Sequence, residues 1–560
     1  MFPPTPVCIN ASVNYSGDHH GPCSNRPALR EQLPTEDIAV TNPLAVPIFR
    51  ALWFATLVSN IGTWMSSVGA GWLMTSLAPD PLVVALVQVA STFPMFILAL
   101  PAGALADIVD RRKLLICAQL FAIAAAGSLA FSTWAGLMTA PLLLAFTGLM
   151  AIGAALAAPA FQAIVPELVA REALQDAVTL NGLAINIARA IGPALAGLII
   201  AATGPEAVFA LNALSTMGVV LVLWRWKRKT EVSLLPPEHL SGAMRVGLRY
   251  ALRSAELQSV LVRAAVFIVF ASCLWALLPL IARDTLGQGA AGYGGLLGFM
   301  GIGAVVGAVL MPRLRALVST NRISIVASIL MAAALASLAA VKDFGVASTL
   351  LFGIGICWIA MMSALNGAAQ ASSADWVKAR ALAVYLLAFQ GSMSLGALFW
   401  GALAGAWGIP LTLSIAAAGM AVLTLLVARR FALNTAATQD FAPSDHWPTP
   451  IVAAEPEADR GPVLITIEYH LDSNDVAAFS QTMAGMRRIR KRDGAIRWGL
   501  FEDVARPGVL IETFTVESWL EHLRQHARVS NADRVLQDAV TAFHTGDERP
   551  IIRHFIAPKR

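Results

Sequence analysis

Gly103-Ala104-Leu105-Ala106-Asp107-Ile108-Val109-Asp110-Arg111-Arg112-Lys113 is a short charged turn between two apolar runs, 82–106 before it and 113–134 after it. Each run has the roughly 20 mostly apolar residues that an α-helix needs to cross a bilayer. Read outward from this turn, the chain repeats the pattern. Candidate spans fall at 50–77, 82–106, 113–134, 140–165, 175–202 and 206–226, and again at 257–283, 290–312, 321–341, 346–370, 379–406 and 409–430. A charged stretch, Arg225 to Glu256, separates the two sets. Twelve spans, six and six, are expected.

Composition agrees. Of 560 residues 57% are hydrophobic and 13% charged, whereas a soluble domain carries about 25% charged residues. Of the 75 charged residues, 31 lie from Glu455 onward, so the region from Ala51 to Phe431 is poorer still in charge. Such a chain cannot cover an apolar core with polar surface, and its outside must face lipid. The net charge of +5 is read as topology rather than as a nucleic-acid footprint. Cys8, Cys23, Cys117, Cys273 and Cys357 have no CxxC spacing, and three sit in apolar runs, so they read as packing residues. Residues 1–43, rich in Pro, Ser, Asn and Gly, are expected to be a disordered leader without a signal-peptide pattern.

Lys and Arg fix the expected orientation. One set of connections holds Arg111, Arg112, Lys113, Arg171, Lys227, Arg228, Lys229, Arg313, Arg315, Arg322, Lys378, Arg380, Arg429 and Arg430, whereas the opposite set holds Arg283 and Lys342. By the positive-inside rule the rich side is cytoplasmic, and so are both termini. The halves, 44–226 and 257–431 around a central loop 227–256, also resemble each other. Gln162-Ala163 precedes Arg171 much as Gln370-Ala371 precedes Arg380, and glycine-punctuated helices follow both. Duplicated halves are a transporter architecture.

The opening turn resembles the signature loop of the major facilitator superfamily, roughly G-x-L-a-D-r-x-G-r-k. Gly103, Leu105, Ala106, Asp107, Arg111 and Arg112 match, whereas Ile108 stands where Arg is usual and Asp110 where Gly is usual. The resemblance implies that the loop steadies an outward-facing state, with Asp107 at the start of the eleventh helix. Gly103 would permit close helix approach, and free N–H groups near Val377 to Leu382 would favour the charge of Asp107. Asp110 beside Arg111 and Arg112 would partly replace the ion pair that Ile108 cannot make. The plainer alternative is an ordinary basic turn. In the fifth helix Gly192-Pro193, followed by Gly197, is similar to the Gly-Pro stretch of the superfamily's antiporters.

Polar groups inside a bilayer are functional-site hypotheses. At 1.5 Å per residue, Asn60, Arg189 and Gln390 come near mid-depth. Asn186 shares the Arg189 face, Trp64 follows Asn60 by one turn, and Trp275 lies deep in the seventh helix. These six would line one cavity suited to an amphipathic organic molecule. The alternative for Asn60 and Gln390 is interhelical hydrogen bonding. Arg263, close to a basic end, is expected to snorkel. None of the candidate spans carries Asp or Glu in its middle.

After a linker, 432–461, residues 462–560 read as a small soluble domain. Strands are expected at 463–470, 496–501, 509–516 and 551–556, and helices at 473–492, 517–528 and 531–544, a ferredoxin-like order. Trp519-Leu520-Glu521-His522-Leu523-Arg524-Gln525-His526 resembles the dimeric α+β barrel group that includes antibiotic-biosynthesis monooxygenases. A transporter bundle with such a tail is similar to the bacterial transmembrane secretion effectors, related to the enterobactin exporter; the resemblance runs from about residue 44 to the end. It implies export and a tail homodimer. His522 and His526, four apart, could hold a metal, but no third ligand is placed, so they read as structural. Trp498 and Trp519 are read as core. The run Arg487-Arg488-x-Arg490-Lys491-Arg492 is read as a lipid contact or a solvated helix end. The expected protein is a multi-pass plasma-membrane (bacterial inner-membrane) exporter of a siderophore or drug by alternating access, with no cofactor or metal. Lipids and a small molecule are its partners. The alternative is a membrane-anchored monooxygenase-like enzyme.

Overall fold

The computed structural model describes residues 42–226, 240–374, 376–433 and 459–558 except 547, together with 444, 447, 452, 456 and 457. The side chains of Leu100, Ala104, Asp107, Ile108, Arg171, Ala527 and residues 240–246 fall outside that description. Nearly all of the expected leader, most of the linker and all of 227–239 also lie outside the described residues.

The bundle runs α1 (Pro47–Leu77), α2 (Pro81–Ile108), α3 (Arg111–Trp134), α4 (Ala140–Leu168), α5 (Leu174–Thr203) and α6 (Pro205–Arg225). It continues with α7 (Leu240–Arg253), α8 (Ala255–Leu280), α9 (Ala290–Leu317), α10 (Thr320–Leu338), α11 (Phe344–Ala371), α12 (Lys378–Trp407) and α13 (Ile409–Arg430). Among the described residues eleven of these helices are long and apolar enough to cross a membrane. α1 is 31 residues long but falls short in apolarity. Its polar residues are spent on its neighbours: Ser59 Oγ lies 3.1 Å from Thr216 Oγ1 of α6, and Thr63 reaches Asn212. The amphipathic α7 was not expected; it sits inside the charged central stretch.

Start and stop signals are physical. Pro47, Pro81 and Pro205 open helices at a position whose N–H would have no partner. Asp80, Asp110 and Asp343 cap α2, α3 and α11 through backbone N–H groups. Gly204 (φ +99°) and Gly408 (φ +81°) make the equivalent breaks α5–α6 and α12–α13, in the left-handed region that favours glycine. The repeat legible in the sequence is thus a repeat of turn geometry.

Arg263 corrects an expectation. It is 2% exposed and donates to Ser324 Oγ at 2.6 Å and to Asn321 Oδ1 at 3.3 Å, fastening α8 to α10 instead of snorkelling.

The tail comprises β1 (Val463–His470), α14 (Val476–Arg492), β2 (Arg497–Glu502), β3 (Val509–Val516), α15 (Trp519–Arg528), α16 (Asn531–Thr541) and β4 (Ile551–Ile556). The strands form one antiparallel sheet in the order β2-β3-β1-β4. One face packs on the helices through Ile465, Phe514, Phe479 and Met483. The basic run is not solvated at its centre: Arg490 is buried against Glu512, at 3.1 and 3.3 Å, and Arg492 pairs with Asp493 and Asp533. Trp498 and Tyr469 also donate to Glu512, at 2.9 and 3.4 Å. The other sheet face leaves Leu464, Phe501, Ile551 and Phe555 exposed.

The tail meets the bundle at α7 and at the turn before α12. Arg249 donates to Gly494 O at 3.0 Å, and Arg528 stacks 4.5 Å over Trp376. Tyr250, with Arg492 at 5.9 Å, donates to Ser372 O at 3.1 Å.

Candidate functional site

The first six helices meet the later ones along α2–α12 and α5–α9, and small residues set the spacing. A Cβ on Gly294 would come 2.6 Å from Gly197 Cα and from Pro193 O, and one on Gly301 2.7 Å from Ala190 Cα. On the other seam Thr92 Oγ1 lies 2.6 Å from Ser394 Oγ, and Gly401 faces Leu82 and Ala85. Arg283 donates across to Thr75 and Ser76. These approaches lie between mid-span and the end away from the basic loops. At the basic end, among the described residues, Gly103 and Gly182 have nothing within 4 Å of an added Cβ. The close approach expected at Gly103 is therefore not made in this conformation.

Between the seams lies a cavity of about 250 Å³. Trp64, Arg189, Trp275 and Gln390, singled out from the sequence, all line it, joined by Gln88, Tyr293, Trp358 and Phe389. Asn60 and Asn186 are not in its wall; Asn186 donates to Gly182 O of its own helix at 3.0 Å. Gly192 serves packing: its Cβ would meet Trp64 Cβ at 2.7 Å, so the glycine lets α1 bring Trp64 against α5. Pro193 is buried beside it, and Gly197 belongs to the seam. Arg189 Cζ sits 5.5 Å over the Trp64 ring. Trp358 was missed, although it stands mid-way along its apolar run and the criterion that found Trp275 would have found it.

The residues of the opening turn fasten one half to itself. Arg111 pairs with Glu167 at 3.0 Å, and Arg112 donates to Leu223 O and Trp224 O, both at 2.7 Å. Asp110 is the N-cap of α3, accepting from Lys113 N at 2.9 Å. The Asp107 side chain, for which contact with α12 is expected, lies outside the described residues.

In the tail, His522 and His526 approach at Nε2 to 3.3 Å, with His554 against His522. Burial, with the neighbouring imidazoles, lowers His522 to about 3 and His526 to about 4, so both rings are neutral at physiological pH. Among the described residues no group of three or more His, Cys, Asp or Glu is arranged to hold a metal.

Two helical sets enclosing a polar-spotted cavity, tight at one end and looser at the other, are the architecture of a membrane transporter. The fold matches solved transporters. A POT family transporter in complex with a thioalcohol-conjugated peptide aligns with TM-score 0.58 at 12% identity, over 69% of this chain and 96% of that one. A bacterial homolog of the human lysosomal transporter Spinster aligns with TM-score 0.51 at 14% identity, over 69% and 95%.

The chain belongs to the transmembrane secretion effector family, whose model matches residues 38–560. It is similar to the staphyloferrin A transporter of Staphylococcus aureus (strain NCTC 8325 / PS 47), 24% identical over 45% of this chain and 64% of that protein. It is likewise similar to the enterobactin exporter EntS of Escherichia coli O1:K1 / APEC, 26% identical over 57% of this chain and 76% of that protein. The family and these relatives are transporters, not enzymes. This is a multi-pass membrane protein of a bacterial transporter family.

Proposed function

We propose that the chain exports a small amphipathic anion, a siderophore or a drug, as a secondary transporter working by alternating access. The observation that carries this reading is the cavity at the junction of the halves, with Arg189 in its wall. Twelve spans form the two halves, 44–226 and 257–431, with α1 counted as a span despite its polar stripe. The basic loops lie in the cytoplasm, as do both termini. The closed seam then faces outward, and the described conformation is cytoplasm-open. Relatives named for staphyloferrin A and enterobactin support a siderophore-like cargo. Counterflow in proteoliposomes against siderophores, drugs and lipids tests this; absence of flux for every class would reject it.

Arg189 selects the anion. No carboxylate pairs with it among the described residues, and a lone guanidinium at mid-bilayer costs about 2.5–3.5 kcal/mol on insertion scales. Arg189→Gln should lower the anion-over-cation transport ratio about ten- to a hundredfold, the worth of a hydrogen bond to a charged group, whereas Arg189→Lys should largely keep it. Equal ratios in wild type and both variants would remove Arg189 from the pathway.

The tail, 462–560, is a ferredoxin-like domain resembling the monooxygenase group, and it pairs through its open sheet face. Leu464, Phe501, Ile551 and Phe555 leave an apolar surface that a second sheet would cover. Light scattering of the full chain in nanodiscs should give a dimer, and Phe501→Asp a monomer. A monomeric wild type at tens of micromolar would contradict the pairing.

A further inference from the structure

Three buried donors around the central cavity have no acceptor: Arg189 Nε, Trp275 Nε1 and Trp358 Nε1. Burying such a group is unfavourable unless something completes it, and natural interiors rarely leave one bare. All three side chains belong to residues that line the same cavity. Trp275 and Trp358 meet edge to face with centroids 5.5 Å apart, and Trp64 lies 6.2 Å from Trp275. Arg189 Cζ lies 5.5 Å from the centroid of the Trp64 ring, and its Nε is left without an acceptor. No carboxylate lines the cavity, and Gln88 and Gln390 are its amides.

We propose that Trp275 and Trp358, acting with Arg189, form a donor cradle for a flat aromatic acid, an aryl carboxylate or phenolate whose ring lies against indole and whose oxygens accept the three N–H groups. The proposal rests on the transporter reading and names its substrate class. The positive charge of Arg189, with no carboxylate in the lining to offset it, disfavours cations, and indole favours a π-system over a saturated ring. At about 250 Å³ the cavity is below the roughly 300–1,000 Å³ of drug-sized sites, so in this conformation it takes one ring system.

The test is calorimetric binding to the full chain in nanodiscs, using salicylate, cyclohexanecarboxylate and benzyltrimethylammonium as probes. Wild type should bind salicylate at least about tenfold more tightly than either of the others. Trp275→Phe and Trp358→Phe keep a ring but lose the N–H, and each should weaken salicylate about fivefold, with thermal unfolding unchanged. The wild-type ranking needs no variant and stands if one fails to fold. Equal or reversed ranking, no binding of any probe, or Trp→Phe variants with wild-type affinity would overturn the proposal. Counterflow on the same samples separates the two readings. Flux without this ranking leaves the exporter and removes the cradle, and the ranking without flux does the reverse.

Discussion

Replacing Gly294 by valine should stop transport while the chain still inserts at normal abundance. A Cβ at Gly294 would stand 2.6 Å from two atoms of the α5 backbone, Gly197 Cα and Pro193 O. Backbone cannot yield as a flexible side chain can, so the helices must part. Overpacking of this kind costs about 1–3 kcal/mol, which corresponds to about 5- to 150-fold in the population of the closed seam. Valine is apolar and membrane insertion is spared. Spin-label distances between the halves should lengthen at the end away from the basic loops. Gly353→Ala is the control, since nothing lies within 4 Å of a Cβ there. Wild-type flux in Gly294→Val would show that the seam need not close during the cycle.

Glu512→Gln should unfold the tail at temperatures where the bundle remains intact. Glu512 is fully buried and Arg490 2% exposed, the two joined by paired hydrogen bonds. Removing one partner of a buried pair costs about 3–5 kcal/mol, a large share of the roughly 5–15 kcal/mol that holds a domain together. Arg490 would be left with the faces of Phe514 and Trp447, at 4.6 and 4.9 Å. Adding Arg490→Met should restore much of the loss, because an apolar replacement removes the stranded charge as well. Limited proteolysis of the full chain reads both outcomes. A single variant as resistant as wild type would show that the pair contributes nothing.

The spans were legible because a lipid-facing helix must be apolar along its whole length, and length alone then marks it. Which way such a helix faces was not legible. A helix apolar all round has no stripe to read, so depth placed Asn60 and Arg189 alike, and only packing separates the Arg189 that reaches the cavity from the Asn60 that does not. Arg263 was misjudged for the same reason, since its partners Asn321 and Ser324 are 58 and 61 residues away. The tail's strands were readable from alternation. The basic run of α14 looked solvated because the acid that buries Arg490 sits 22 residues later on a strand. α7 was hidden in a stretch whose charge masked its periodicity.

The place where the tail rests has a mechanical consequence. Its contacts engage α7 and the turn leading into α12, through Arg249, Arg528 and Tyr250. A tail fixed there rides with the second half of the bundle. If two tails join by their open sheet faces, they splice two second halves into a single frame, and the rocking of each cycle falls to the first halves. Two such pumps would share a stator while each kept its own rotor, so either could turn without waiting for the other.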